Sequence, residues 1–305
     1  MKLTTDRNTL QNGLLHVLGG IEKKQTMQIL GNVFLDARDD GLTLIGTDME
    51  IQLSTHIPVT VEQAGSTTVN ARKFNDIIKA APSNAVISLT LSSQWLTIQI
   101  NRSQFRLATL DPDDFPKMAQ DEDDHQVVFV EKQLISLIEA TQFAMAQQDV
   151  RYFLNGMLLE ITPEHIRTVA TDGHRLALSE LDSATGVDQP RQMIIPRKTI
   201  LELTRLLDRD SDESITLRLS GNQISATIGR TTLISKLIDG RFPDYERVIP
   251  KDNQKWLTVN CQDLRGALTR ASVLSNERFS EASFSIGDNV MTIEAKNADQ
   301  ESSQE

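Results

Sequence analysis

Apolar residues recur along this chain with two periods. Between Val86 and Ile100 they alternate: Ile87, Leu89 and Leu91, then Leu96, Ile98 and Ile100 beyond Ser92-Ser93-Gln94. Successive side chains of a strand point to opposite faces, so this stretch predicts an antiparallel hairpin with one buried face. Ile215, Leu217 and Leu219 repeat the pattern before Gly221-Asn222, a turn signal. Elsewhere the period is helical. Phe74, Ile77, Ile78 and Ala81 stand at i, i+3, i+4 and i+7, as do Leu134, Leu137, Ile138 and Thr141, and Leu264, Ala267, Leu268 and Ala271. Each set predicts a helix with one apolar stripe, and Pro82 ends the first.

The elements themselves repeat. GNVFLDARDDGLTLIGTDMEIQLS (31–54) parallels NGMLLEITPEHIRTVATDGHRLALS (155–179), each a strand, a polar turn, a strand, Thr-Asp and a strand. Downstream, 69–100 parallels 194–228: an apolar pair, Arg-Lys, a helix and a hairpin. The copies close alike, TLDPDDFPKM (109–118) beside LIDGRFPDYE (237–246). A third start, WLTVNCQDLRGALTRASVLSN (256–276), resembles 2–20 and 126–146. The starts are spaced by about 124 and 130 residues, and about 49 follow the third, so the third unit is expected to be roughly 70 to 80 residues short of a full copy. The expected domains are 1–120, 126–250 and an incomplete 255–305. Each full unit reads as two strand–helix–strand halves, an α+β domain with helices on one face of antiparallel sheets.

Composition changes this picture little. The chain has 305 residues, 39% hydrophobic and 24% charged, which suits soluble globular domains. There is no apolar run long enough to span a bilayer and no secretory signal at the N-terminus, so a cytoplasmic location is expected. The single cysteine, Cys261, excludes an intrachain disulfide. His16, His56, His125, His165 and His174 are scattered, with no metal-ligand spacing among them; no metal and no cofactor are expected. The net charge of −11 argues against indiscriminate coating of nucleic acid. It leaves room for a basic inner face, because the helices carry Arg7, Lys23 and Lys24; Arg72, Lys73 and Lys79; Arg197, Lys198 and Arg205; Arg265 and Arg270 in register with the repeat. Those charges line one common surface or are simply solvated.

Candidate chemistry concentrates in VATDGHRLALSE (169–180), where Asp172, His174 and Arg175 flank Gly173. Three readings stand. Asp172 and His174 form an acid–base pair, which needs a nucleophile or bound substrate that the sequence does not supply. Asp172 caps a turn around Gly173. The segment walls a binding pocket. Thr-Asp recurs as Thr47-Asp48 in the first copy, whereas Gly-His-Arg-Leu does not, the trace that one functional pocket on a repeated scaffold would leave.

QILGN (28–32), GTDMEIQL (46–53), ARKF (71–74), ATQFAMAQQDVRYFLNGMLLE (140–160), TVATDGHRLAL (168–178), PRK (196–198), SKLIDGRFPDYERVIP (235–250) and SVLSNERF (272–279) follow one another along nearly the whole chain. Together they resemble the beta sliding clamp family of bacterial replicative DNA polymerase, its processivity subunit. The resemblance implies a DNA-clamp fold: a head-to-tail ring of two chains with three similar domains each, helices facing the hole, sheets outside and duplex DNA within. A ring held by topology needs only weak, sequence-independent phosphate contacts.

The resemblance carries residues over by motif position. It implies DNA-facing roles for Lys24, Arg72, Gln148, Tyr152, Phe153 and Lys198. It implies a non-catalytic pocket for short linear peptides from the replicative polymerase, the clamp loader, other polymerases and repair proteins, lined by Arg151, Leu154, Thr171, Gly173, His174, Arg175, Leu176, Pro243, Arg247 and Val248. Leu154, Leu176, Pro243 and Val248 would give an apolar floor, and the arginines would fix a glutamine-bearing, acidic or C-terminal peptide end. The ring contact would pair Lys73, Phe74, Arg102, Phe105 and Leu107 with Val273, Leu274 and an acidic strand holding Glu301 and Glu305. With the third unit short, weaker peptide binding and an unsettled ring contact are expected. The second function considered is therefore a peptide-binding adaptor that does not encircle DNA.

Overall fold

The computed structural model describes residues 1–21, 27–120, 125–274, 281–287, 290–296 and 302–304. The chain forms two compact units, Met1–Pro243 and Asp244–Glu305.

The first unit holds two copies of one plan. In the first copy, β1 (Lys2–Asp6), α1 (Arg7–Leu18), β2 (Asn32–Arg38), β3 (Gly41–Thr47) and β4 (Ile51–Ile57) make one half. After the short β5 (Thr60–Gln63), a second half follows: β6 (Gly65–Asn70), α2 (Ala71–Ala80), β7 (Val86–Ser92), β8 (Trp95–Ile100) and β9 (Ser103–Leu110). The second copy repeats the order with β10 (His125–Val130), α3 (Glu131–Thr141), β11 (Gly156–Ile161), β12 (His165–Thr171) and β13 (Leu176–Asp182), then β14 (Arg191–Pro196), α4 (Arg197–Leu206), β15 (Ser214–Leu219), β16 (Gln223–Ile228) and β17 (Thr231–Lys236). Side-chain caps start two of the helices: Asp6 accepts the Thr9 N–H at 2.9 Å and Asn70 the Lys73 N–H at 3.0 Å. The stripe read from sequence faces inward on α2, where Phe74 and Ile78 are fully buried.

The halves exchange their first strands. β1 pairs with β7 of the second half, and β6 pairs with β2 of the first; β10–β15 and β14–β11 do the same in the second copy. Each copy is thus two sheets of alternating apolar faces under two helices. The copies are joined strand to strand: β17 runs antiparallel to β4, with Leu233 opposite Leu53 and Thr231 opposite Thr55. This makes a sheet of thirteen strands, while β13-β12-β11-β14 forms a separate sheet of four. One apolar core runs under both copies, from Leu3, Leu10 and Leu14 to Leu217 and Leu233.

The helices stand in a row, α2–α1–α4–α3, held at the carbonyl ends that a helix leaves unpaired. Arg7 donates to the Lys79 carbonyl at 3.1 Å. Arg205 donates from α4 to the Leu15 and His16 carbonyls of α1 at 2.9 and 3.0 Å, across the joint. α3 packs on α4.

The second unit contains α5 (Cys261–Ala271) and a sheet of β18 (Ala282–Gly287), β19 (Val290–Lys296) and β20 (Ser302–Gln304). α5 lies on this sheet through Ala271, Ile293 and Ala295. The strand suggested by WLTVN does not form: Trp256 is 86% exposed and 251–260 is irregular. Its counterparts β1 and β10 are held by β7 and β15, which follow the second helix of each copy, and no such strand is present for it among the described residues of this unit.

Candidate functional site

The TDGH segment is a rigid turn between β12 and β13. Thr171 donates its hydroxyl to the Arg175 carbonyl at 2.7 Å and accepts the Gly173 N–H at 3.1 Å. Asp172 Oδ1 accepts the N–H groups of His174 and Arg175 at 2.9 and 3.0 Å, and its Oδ2 accepts Arg175 Nε at 3.0 Å. These bonds, the backbone ones foremost, hold the Asp172 carboxyl below the usual carboxylate range. A general base at neutral pH needs the opposite shift and an uncommitted oxygen, so the geometry assigns Asp172 to the turn.

The first copy builds the same turn. Thr47 donates to the Ile51 carbonyl at 2.9 Å and accepts the Met49 N–H at 3.0 Å, and Asp48 Oδ1 accepts from Glu50 and Ile51 at 2.9 and 2.8 Å. Thr-Asp is therefore scaffold. The copies part at the next residue. Met49 has φ +76° and Gly173 φ +86°, so left-handed backbone alone does not demand glycine here. The surroundings differ as well: a Cβ on Gly173 would lie 2.9 Å from Arg151 Nη1, so the guanidinium would have to shift to admit a side chain.

Arg151 lies over this turn because its neighbours fix it. Asp149 Oδ1 accepts Arg151 N and Nε at 2.8 and 3.0 Å, and Oδ2 accepts Nη2 at 2.8 Å. Nη2 also reaches the Asp172 carbonyl at 3.2 Å. Asn155 clamps Asp149 in turn, its Oδ1 accepting the Asp149 N–H and its Nδ2 donating to the Asp149 carbonyl, both at 2.9 Å. Arg151 drives the Asp149 carboxyl down to about 2. Arg175 lies 5.6 Å from the ring centre of Phe143, within cation–π range. The result is a ledge of two oriented guanidiniums around Gly173, edged by exposed Phe143, Val150 and Tyr152.

The structure brings Arg151, Thr171, Gly173, His174, Arg175 and Leu176 together. Leu154, expected as pocket floor, is 2% exposed and supports the short helical turn Tyr152–Leu154 from beneath; Thr171 is likewise buried and works through its hydroxyl. Pro243 is exposed at the end of the first unit. Arg247, which pairs with Asp244, and Val248 belong to the second unit. Asp149, Asn155 and Phe143 were missed as site residues, although all three lie inside the quoted 140–160 motif.

Residues 1–119, 129–244 and 246–305 match family models described as the N-terminal, central and C-terminal domains of the DNA polymerase III beta subunit. The chain belongs to the beta sliding clamp family. It is 41% identical over 306 residues to the beta sliding clamp of Vibrio cholerae and 40% identical to that of Escherichia coli K12, in each case across 100% of this chain and 83% of the relative. Among solved structures, a Pseudomonas aeruginosa sliding clamp bound to griselimycin superposes with TM-score 0.94 at 40% identity, and one from Bartonella birtlesii, also bound to griselimycin, with TM-score 0.96 at 34%. Both cover 100% of this chain and 83% of theirs.

The remaining clamp expectations fare unevenly. Arg72, Gln148 and Tyr152 are exposed and Phe153 is half-buried against Tyr152, ring centres 5.8 Å apart. Lys198, expected to face DNA, pairs its Nζ with Asp48 at 2.5 Å across the joint. Lys73, Arg102 and Phe105 are exposed and Leu107 half-buried, but Phe74 is fully buried in the core and has no surface to offer a second copy. Val273 is exposed, and Leu274 closes the turn Ser272–Leu274. Lys24, Glu301 and Glu305 lie outside the described residues. No helix among the described residues is long and apolar enough to cross a membrane.

Proposed function

We propose that this clamp subunit works as a processivity factor without chemistry of its own: copies join head to tail around duplex DNA in the cytoplasm and hold the replicative polymerase, the clamp loader and other polymerases and repair proteins by short linear peptides. The observation that carries the peptide reading is the divergence of two copies of one turn. Where the first copy places Met49 and Glu50, the second places Gly173 and His174 and keeps Arg151 and Arg175 oriented at its mouth. Two guanidiniums with exposed aromatic neighbours suit a carboxylate or amide side chain flanked by apolar residues. The helix row supports the DNA reading, with Arg72 exposed on it and Tyr152 and Gln148 presenting polar groups. The exposed edge of β9, with Lys73, Arg102, Phe105 and Leu107, supports the joining of copies.

Retention on DNA tests the reading. Loaded with the clamp loader and ATP, the protein should stay on closed circular DNA and run off after linearisation. Peptide binding without retention on either form would leave the adaptor and remove the clamp.

A further inference from the structure

The two copies part company at the start of their first helices. Arg7 opens α1 and Glu131 opens α3 at the same place in the repeat. Arg7 N donates to the Ala85 carbonyl at 3.0 Å, and Glu131 N to the Glu213 carbonyl at 2.9 Å. One scaffold bond therefore joins an arginine to an alanine in the first copy and a glutamate to a glutamate in the second. Arg7 directs its guanidinium to Asn8 and to the Lys79 carbonyl, both at 3.1 Å. Glu131 has no comparable contact. It is 6% exposed, yet its carboxyl makes no hydrogen bond or ion pair among the described residues. A helix N-terminus favours an acid only weakly, far less than taking an ion out of water costs. Nor does the position require an acid, since Arg7 and Arg197 hold it in α1 and α4. A buried polar group without a partner calls for one.

Glu131 lines a cleft of about 360 Å³ at the joint between the copies. The first copy contributes α1 and the end of β4; the second contributes Glu131, Glu213 and the turn between β16 and β17. Ile57, Pro58, Ile215 and Ile228 give it apolar walls. Most of its other polar groups are engaged. Thr231 bonds both His16 and Thr55 at 3.0 Å, and His56 bonds Thr43 at 3.2 Å and the Asp40 carbonyl at 3.0 Å. The lowered pKa of His16 leaves it uncharged above pH 7, so it adds no positive charge. Glu213 is exposed, and its carboxyl is likewise without a partner among the described residues. Arg230 is exposed on the turn. Two carboxyls thus share the cleft with one solvated guanidinium. A bare metal ion does not suit it, because no three ligating side chains converge among the described residues.

We propose that this cleft binds a short aliphatic diamine of the putrescine class, one ammonium on Glu131, the methylenes along Ile57, Pro58, Ile215 and Ile228, and the second ammonium on Glu213. An ammonium is a compact charge with three donors and no acceptor, the complement of a carboxyl that has acceptors and nothing to bind. Charge-assisted bonds of this kind are the strong ones, and burial of Glu131 strengthens them further. The methylenes replace water on the apolar walls. Both copies line the cleft, so occupancy fastens the joint between them and stabilises the folded chain by mass action.

The test is calorimetric titration of the full chain with putrescine at neutral pH and physiological salt. One site per chain is expected. Glu131→Gln should weaken binding about tenfold or more, and Glu213→Gln should weaken it less. Arg230→Gln should tighten it about two- to fivefold by removing a like charge. Glu164→Gln, which removes an exposed acid outside the cleft, should change nothing. Butylamine, with the same chain and one charge, should bind about tenfold more weakly; equal binding removes the second ammonium and overturns the diamine. No heat overturns the proposal. So does heat that survives Glu131→Gln, or that Glu164→Gln lowers equally, because either is counterion attraction to a chain of net charge −11. Thermal unfolding supplies the folding control. Without amine, Glu131→Gln should unfold at or above the wild-type midpoint, since a buried carboxyl without a partner has gone. Putrescine should raise the midpoint of wild type and not of the variant. A lower midpoint for Glu131→Gln with no putrescine effect on wild type would assign Glu131 to α3 alone and end the proposal.

Discussion

Lys198 of the second copy reaches Asp48 of the first at 2.5 Å, so the turn that carries the arginine ledge in one copy is, in the other, an anchor between copies. Asp48 is nearly buried and also accepts two backbone N–H groups. Lys198→Met should therefore cost little, about 0.5–1 kcal/mol for a partly exposed pair. Asp48→Ala should cost more, about 2–3 kcal/mol, because charge-assisted bonds to the turn are lost as well. Urea unfolding of both variants and the double variant checks this; equal costs would mean the ion pair, not the turn, is what Asp48 supplies.

Gly173→Ala should cost about 1–2 kcal/mol, from left-handed backbone and the close approach of Arg151. Met49 tolerates nearly the same φ, so most of the loss should vanish when Arg151 is also alanine. A double-mutant cycle with no coupling would locate the penalty in the backbone instead.

Phe143→Ala should weaken a fluorescent glutamine-bearing acidic peptide about fivefold, since a cation–π contact contributes about 1 kcal/mol to the placement of Arg175. Asp149→Asn should weaken it at least as much by releasing Arg151. Fluorescence anisotropy reads both, and binding that ignores Asp149→Asn would mean Arg151 does not touch the peptide.

His16 responds to pH. Burial, and then the charge of Arg205, lower its pKa from the ordinary 6.5. The folded state therefore favours neutral imidazole, which bonds Thr231 at 3.0 Å in the joint. Its contribution is complete above pH 6.5 and declines as pH falls toward the folded value, because the unfolded chain takes up the proton first. Thermal midpoints measured between pH 7.5 and 5 should fall more in wild type than in His16→Gln. Asp149 and Asp172 act lower: their depressed pKa values give stability present above the carboxylate range and lost as pH falls through about 2 for Asp149 and below 3.8 for Asp172.

Much of this was legible in the sequence because the repeat supplied two independent readings of each element. Alternation at Ile87–Ile100 and the α2 stripe gave strands and a helix within a residue or two. The shared Thr-Asp marked scaffold, and the unshared Gly-His-Arg-Leu marked the ledge. What periodicity cannot show is which half a strand pairs with. WLTVN looked like β1 in composition, yet a strand exists only where a partner offers hydrogen bonds. Phe74 and Leu154 were misplaced for a related reason: a motif position says that a residue matters, and only packing says whether it touches a partner or holds one that does.

The strand exchange between halves bears on biosynthesis. β1 precedes both strands that pair with it: β5, made after β4, and β7, made only after β6 and α2 as well. The sheet of each first half thus stays short of a strand until its second half has been translated. Such nonlocal pairing slows folding and exposes strand edges meanwhile. A nascent chain halted before Val86 should be held by chaperones, whereas one released after Leu110 has every strand of its first copy in hand.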